Sequence, residues 1–327
     1  MIYIWGGFLL FVFAVMAIDL GVFNRDDHQP SGREALAFTA VTVVLALCFA
    51  VFVFQAYNNH WQGLGLTADV IDHRPNDGRS AVVKFLTGYV VELSLSMDNV
   101  FVIALIFTHL RVPSRYQHRV LFWGILGALA LRGLMIAGGT ALVTRYHWVL
   151  YLFGVFLVLT SAKMLLTKEK EESPEERWIV RWLNRHFRVT TEFHAERFTI
   201  VRDGKRWITP LAVALVLVES TDLLFAVDSI PAILAITSDP FLVFTSNAFA
   251  ILCLRSLYFG LAGLVEKFRY LNVSLAVILG LVGAKMLAAP VADRWFGESQ
   301  NAIMLVTVIG ILVAGGVASV LADRSRR

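Results

Sequence analysis

The stretch from Val218 to Pro231 reads VESTDLLFAVDSIP and lies in a segment that is apolar from Pro210 to Ile236. It contains three acids, Glu219, Asp222 and Asp228. A charged side chain in the hydrocarbon core of a bilayer costs about 2.5 to 3.5 kcal/mol, so acids are kept there for a function or a partner. A second stretch, Glu92 to Val100, reads ELSLSMDNV and adds two more acids.

The composition of the 327 residues is typical of a membrane protein. Hydrophobic residues make up 57%, charged residues 17%, and the mean hydropathy is +0.67, which is well above the range of soluble domains. The charges lie between apolar runs that are long enough to cross a hydrocarbon core of about 30 Å as helices. A membrane β-barrel would show alternating segments of about ten residues instead. The sequence therefore predicts an all-α polytopic membrane protein.

About nine transmembrane helices are predicted from the lengths of the apolar runs. Their approximate bounds are 2–23, 36–56, 81–108, 119–143, 148–166, 209–236, 241–264, 270–289 and 300–322. The first run is interpreted as a retained span, because no Lys or Arg precedes it and it lacks a small-residue cleavage site. Five regions follow from these bounds: two helices and an outside loop (1–80), a first three-helix unit (81–166), a cytoplasmic loop (167–208), a second unit (209–289), and a last helix with a basic tail (290–327).

The distribution of Lys and Arg predicts the orientation. With the N-terminus outside and the C-terminus inside, most basic residues between the spans fall on the cytoplasmic side, as the positive-inside rule expects. We therefore predict a multi-pass protein with its N-terminus outside and its C-terminus inside. The net charge of +4 is assigned to this topology, and no nucleic-acid partner is expected. Cys48 and Cys253 fall inside spans and show neither a disulfide framework nor metal-ligand spacing.

The cytoplasmic loop has predicted structure of its own. Ser173-Pro174-Glu175-Glu176 is typical of a helix start. Aromatic and aliphatic residues then recur at helical spacing opposite arginines: Trp178, Ile179, Trp182, Leu183 and Phe187 against Arg177, Arg181, Arg185 and Arg188. Such a helix fits either the surface of the inner leaflet or the inner mouth of the helix bundle. Further on, Asp203-Gly204 between two short apolar-basic runs predicts a β-hairpin over 198–208.

An internal repeat relates the two units. The order Asp98, Arg132, Lys163 in the first unit returns as Asp222, Arg255, Lys285 in the second, with nearly equal spacings. Each unit holds an odd number of spans, so the second unit is expected to be inverted in the membrane relative to the first. Inverted repeats are the architecture of many secondary transporters, which bind their substrate where the repeats meet.

The buried charges predict a cation site. Arg132 and Arg255 are expected to pair with two of the five acids, because an arginine at membrane depth stays charged. Lys163 and Lys285 lie nearer span ends, where they can pair or reach the interface. The remaining acids cannot all stay ionised together, and a divalent cation, with or without a proton, would resolve the repulsion. The alternative is that all five acids are structural partners of Arg and Lys.

Oxygen-bearing side chains surround these acids: Asn99, Ser94, Ser96, Ser220 and Ser229. Such hard ligands suit Mn²⁺, Mg²⁺ or Ca²⁺, and the lack of neighbouring His or Cys argues against zinc or copper. Helical geometry suggests two acidic levels, with Asp98, Glu219 and Asp222 toward the inner half of the membrane and Glu92 and Asp228 toward the outer half. Pro231 is expected to bend its helix and is a candidate gate.

These blocks resemble the TerC family of integral membrane proteins. The matching segments are FLTGY at 85–89, ELSLSMDNVF at 92–101, VESTD at 218–222, FAVDSIPAI at 225–233 and TSN at 245–247. The family often has Lys where this chain has Leu93, a difference that affects none of the acids. The resemblance implies an inner-membrane protein of the LysE-like transporter group that exports manganese. It also implies a metal site formed by Glu92, Asp98, Asn99, Glu219, Asp222 and Asp228.

The leading hypothesis is a secondary transporter that exports manganese(II), with protons as a candidate coupling ion. The sequence contains no GxxxxGK[ST] motif, so no nucleotide cofactor is expected. The leading hypothesis is not an enzyme. Two alternatives remain open. One is a membrane protein that delivers metal to, or docks, secretion machinery through the loop Lys168–Arg206. The other is an intramembrane enzyme with two aspartates as an acid pair, which the mid-span arginines and the repeat disfavour.

Overall fold

A computed structural model describes residues 1–23, 32–166, 178–261, 270–296 and 299–324. These ranges hold ten α-helices and a two-stranded hairpin, which confirms the prediction of an all-α polytopic membrane protein. The helices are α1 Ile2–Phe23, α2 Gly32–Asn58, α3 Gly78–His109, α4 Ser114–Arg145, α5 Trp148–Leu166, α6 Trp178–His186, α7 Pro210–Leu234, α8 Pro240–Leu261, α9 Leu271–Phe296 and α10 Gln300–Arg324. The hairpin strands are β1 Thr199–Arg202 and β2 Lys205–Ile208.

Within the described ranges, 7 helices are long and apolar enough to cross a membrane. Two further apolar stretches, Ile2–Ile18 in α1 and Asn272–Ala288 in α9, are shorter. The total of nine spans therefore stays a prediction. Helix α3 begins earlier than its apolar run predicted, because the Asp77 side chain caps it by accepting a hydrogen bond from the Ser80 N–H at 2.8 Å.

The helices of the two predicted units pack against each other. Helix α3 packs on α8, α4 on α7, α5 on α9 and α3 on α7. In the predicted repeat, α3 corresponds to α7, α4 to α8 and α5 to α9. Exchanging corresponding helices converts the α3–α8 pair into the α7–α4 pair and leaves the α5–α9 and α3–α7 pairs unchanged. This is the pattern expected when two units are related by a two-fold axis. The inverted orientation of the units stays a prediction.

Small residues allow α5 and α9 to approach closely. A methyl group added at Gly283 would lie 2.9 Å from the Gly154 carbonyl oxygen, so the two backbones face each other directly. The Ser161 hydroxyl donates to the Ala276 carbonyl at 2.7 Å across the same interface. Elsewhere, aromatic rings join α1 and α2 to α8: Phe8, Phe49, Phe241 and Phe249. These contacts hold the first two helices against the units.

A buried ion pair fixes the loop between α2 and α3. The Lys84 ammonium of α3 is 2.8 Å from Asp69 Oδ2, and both side chains are inaccessible to solvent. Asp69 also accepts bonds from the Ser238 N–H at 3.0 Å and from the hydroxyls of Ser238 and Thr237, in the turn between α7 and α8. Burial alone would raise the pKa of Asp69, but the charge of Lys84 and these hydrogen bonds outweigh it and lower the pKa to about 2.

The loop between α5 and α7 contains the predicted hairpin. Strands β1 and β2 pair antiparallel with Arg202 opposite Lys205. Asp203 and Gly204 between them have φ of 54° and 69°, the left-handed conformation that a two-residue hairpin turn requires. The predicted helix start at Ser173 lies outside the described residues. The described helix α6 buries Ile179 and Leu183 in a cluster with α7 residues, while Trp178 and Trp182 are exposed.

Removing Lys84 is predicted to destabilise the protein strongly. In Lys84→Met, Asp69 would remain as a buried, uncompensated charge, and we expect a loss of about 3 to 5 kcal/mol of unfolding free energy. The double variant Lys84→Met/Asp69→Asn should recover part of this loss, because only the partly exposed Asp72, which is 2.7 Å from the Lys84 ammonium, then lacks its partner. Thermal unfolding of detergent-solubilised protein measures both effects, and a double variant as unstable as the sum of the single variants would contradict the pairing.

The stabilisation by Asp69 is also predicted to persist at acidic pH. The folded pKa of about 2 is below the unfolded value of about 3.9, so the contribution is complete above the unfolded value and is lost as pH falls through the folded one. The difference in stability between the parent protein and Asp69→Asn should therefore stay constant across neutral and mildly acidic pH. A difference that shrinks between neutral pH and about pH 5 would contradict this assignment.

Candidate cation site

A buried arginine lies where four helices meet. Arg132 of α4 is 1% exposed and faces Asp222 of α7, with Nε 3.2 Å from Oδ2 and Nη2 2.9 Å from Oδ1. Its Nη1 forms an ion pair with Glu92 of α3. The same nitrogen donates to Asn247 Oδ1 of α8 at 3.0 Å and to Ser229 Oγ at 3.3 Å. One guanidinium therefore connects α3, α4, α7 and α8.

The arginine network joins the two predicted acidic levels. Glu92 was assigned to the outer level and Asp222 to the inner one, yet Arg132 contacts both carboxylates. Two ionised carboxylates beside one guanidinium leave one negative charge without compensation inside this network. A buried excess charge is unfavourable unless a further cation or proton neutralises it.

Several buried oxygens around the network lack donors among the described residues. Asn99 donates from Nδ2 to Asp222 Oδ1 at 3.1 Å, while its own Oδ1 is buried without a hydrogen-bond partner. Ser96 Oγ, Glu92 Oε2 and Glu219 Oε2 are buried in the same way. Glu92, Ser96 and Asn99 follow each other at helical spacing, so they form one stripe of α3. Unpaired buried oxygens are costly, and a bound cation would satisfy them.

Glu219 occupies space that a glycine leaves open. Its half-buried carboxylate packs against Gly127 of α4, where any added methyl group would overlap the carboxylate atoms. Glu219 also interacts electrostatically with Asp222, one helical turn further along α7. The site therefore needs a residue without a side chain at position 127. In the described parts of the chain, no group of three or more His, Cys, Asp or Glu side chains forms a complete metal cage.

The other predicted acids lie beside different partners. Asp228 is half-buried on α7, accepts a hydrogen bond from the Thr160 hydroxyl of α5, and interacts electrostatically with Lys163. Asp98 is half-buried on α3. Asp228 is six residues beyond Asp222, or about 9 Å along the axis of α7. The acids thus extend along α7 from Glu219, rather than closing around one point.

The remaining predicted site residues show no described contact with Arg132. The hydroxyls of Ser94 and Ser220 donate to carbonyls of their own helices, at 2.5 Å to Val90 and 2.6 Å to Val216. Lys285 donates to Asn301 Oδ1 of α10 at 2.8 Å. The side chain of Arg255 lies outside the described residues, so its pairing stays a prediction.

Pro231 lies in the last turn of α7. The helix continues through it and ends at Leu234. The bend and the gate stay predictions.

Two residues of the site were not predicted. Asn247 is a buried amide in an apolar span, and its place in the segment at 245–247 was a usable signal. Gly127 carries no signal in the sequence, because its role depends on the side chain that faces it from another helix.

A methyl group at position 127 is predicted to disturb the site. Gly127→Ala would force the Glu219 carboxylate to move, at a cost of about 1 to 3 kcal/mol for overpacking. The matched control is Gly138→Ala on the same helix, where nothing lies within 4 Å of the added methyl and the change should be neutral or stabilising. Thermal unfolding compares the two variants, and equal effects would contradict the close contact between Gly127 and Glu219.

Known proteins resemble the chain along almost its whole length. The model of the integral membrane protein TerC family matches residues 77–327. An "Uncharacterized membrane protein STKORF319" from Myxococcus xanthus is 47% identical over 321 residues, which are 98% of this chain and 93% of the relative. Proteins named "Putative membrane-bound redox modulator Alx" are 40% identical in Photorhabdus laumondii and 43% identical in Escherichia coli K12, over 95% of this chain and 93% and 92% of their own lengths.

No solved structure shows a significant match. The family match includes all the residues of the arginine network, from Glu92 to Asn247. The chain therefore belongs to the TerC family of integral membrane proteins.

Proposed function

We propose that this TerC-family protein is a secondary transporter that exports manganese(II) from the cytoplasm. The observation that carries the proposal is the set of buried oxygens on α3 and α7, around the Arg132 network, that have no hydrogen-bond partner among the described residues. These oxygens come from carboxylate, amide and hydroxyl groups. They are the hard ligands that Mn²⁺, Mg²⁺ and Ca²⁺ prefer. The choice of manganese among these ions comes from the family resemblance.

The arginine explains how a site of this kind can release its cation. Arg132 is a fixed positive charge that already occupies two acids, so an arriving divalent cation would compete with the guanidinium for Asp222. Transport requires binding that is favourable but reversible. A site with built-in competition from arginine meets that requirement better than a complete cage of acids. Protons are the proposed coupling ion, because a carboxylate can accept a proton when the cation leaves.

Asp228 is the proposed next position on the route. It lies about 9 Å from Asp222 along α7, beside Thr160 and Lys163. Stepwise movement between two acidic positions on one helix agrees with binding at the interface of two units. The proposed orientation has the N-terminus outside and the C-terminus inside the inner membrane. This orientation is supported by the distribution of basic residues.

The name of the relatives suggests a second candidate function, redox modulation. The two cysteines of this chain are both free; Cys48 of α2 is exposed and Cys253 of α8 is buried. The atoms in contact with Arg132 are oxygens, which favours cation binding over thiol chemistry. Docking of secretion machinery through the cytoplasmic loop remains the other alternative, and it does not require manganese movement.

Neutralising Glu219 or Asp222 of α7 is predicted to reduce manganese export strongly. In Glu219→Gln and Asp222→Asn, manganese transport by protein reconstituted in liposomes should fall by about 10- to 100-fold or more, since even groups that support metal ligands have effects of this size. The control is Glu192→Gln, an exposed acid of the cytoplasmic loop with 75% of its side chain accessible, which should transport at the parent rate. Size-exclusion profiles and melting temperatures show whether each variant is folded.

The variants Glu219→Gln and Asp222→Asn distinguish manganese export from the alternative functions. Glu219→Gln is the stricter test, because Glu219 is not one of the two acids that Arg132 holds by ion pairing. Parent-like manganese export by folded Glu219→Gln and Asp222→Asn would exclude the proposed site. Competition by excess magnesium or calcium in the same liposomes would rank the three ions.

A further inference from the structure

The apolar side of helix α6 is only partly packed against the helix bundle. Ile179 and Leu183 are 8% and 3% exposed and belong to a buried cluster with Leu211 and Val213 of α7. On the outer face of the helix, which adjoins this packed side, Trp178 and Trp182 are 69% and 46% exposed. An ordinary surface helix would have polar residues there, so the exposed tryptophans require a separate explanation.

The contacts of the buried face fix the depth of α6. Leu211 and Val213 belong to the first turn of α7, which begins at Pro210. Tyr116, in the first turn of α4, is in the same cluster. Helix α6 therefore lies beside the starting turn of the membrane-crossing helix α7, at the boundary between hydrocarbon and water.

The outer face combines aromatic rings with positive charge. Trp182 contacts the His186 ring at a centroid distance of 4.9 Å and the Phe187 ring at 5.7 Å, and Phe187 is 46% exposed. Exposed arginines flank these rings: Arg181, Arg185 and Arg188. Helix α6 reads WIVRWLNRH and has no acidic residue.

This composition matches the polar boundary of a bilayer. Tryptophan prefers the headgroup level, and arginine can reach phosphate groups while its stem stays in the apolar region. A helix with basic and aromatic residues binds membranes through both buried apolar area and attraction to anionic lipids.

We propose that the outer face of α6, formed by Trp178, Arg181, Trp182 and Arg185, binds the headgroups of anionic phospholipids together with Phe187, which follows the helix. The proposal does not depend on cation transport. A protein partner is disfavoured because α6 lies at the level where the spanning helices enter the membrane. At this depth, lipid headgroups are the surrounding medium.

The test is amide hydrogen exchange of residues 178–188 in the purified full-length protein. The protein is placed in nanodiscs of phosphatidylcholine alone, or of phosphatidylcholine and phosphatidylglycerol in equal parts. Anionic lipid should slow exchange in this segment by about tenfold or more, because basic residues near an anionic surface are attracted to it. Arg181→Gln/Arg185→Gln should lose this dependence on lipid.

The matched control removes the same charge from the hairpin. Lys205→Gln/Arg206→Gln changes two exposed residues of β2 and should retain the parent response. Equal exchange of the parent protein in both nanodiscs would overturn the proposal, and so would a parent-like response of Arg181→Gln/Arg185→Gln. Protection that appears only in native membranes and not in anionic nanodiscs would also overturn it, in favour of a protein partner.

Discussion

The buried guanidinium of Arg132 is the charge on which the arrangement of the membrane helices depends. It contacts a carboxylate from each of the two three-helix units, Glu92 of α3 and Asp222 of α7. In a bilayer, neither the arginine nor either acid can remain alone without a large cost. The two units are therefore held together by the groups that we propose bind the transported ion, so packing and function share the same atoms.

Around Arg132, some oxygens receive several hydrogen bonds and others receive none. Donors are concentrated on Asp222, which receives bonds from Arg132 and Asn99. Oxygens of Ser96, Asn99 and Glu219 remain without donors in the described residues. Gly127 keeps the space around Glu219 open. A cluster built only for stability would pair these oxygens with further N–H or O–H groups.

The sequence predicted the features that depend on local pattern. The apolar runs predicted the all-α class, and Asp203-Gly204 predicted the hairpin, because each follows from length or turn chemistry. Candidate site residues were visible as charges in apolar segments. Their partners were not, since the contacts of Arg132 with Asn247 and of Thr237 with Asp69 join distant parts of the chain. Position 127 was unpredictable for the same reason.

The loop between α2 and α3 has a mechanical consequence. Asp69 binds Lys84 of α3 and, at the same time, Thr237 and Ser238 after α7. One end of α3 and one end of α7 are therefore fastened together by a buried network. Alternating access by rocking of the two units would have to break that network or pivot about it. If the network stays intact, the fastened end acts as the hinge, and the largest displacement occurs at the opposite ends of the helices.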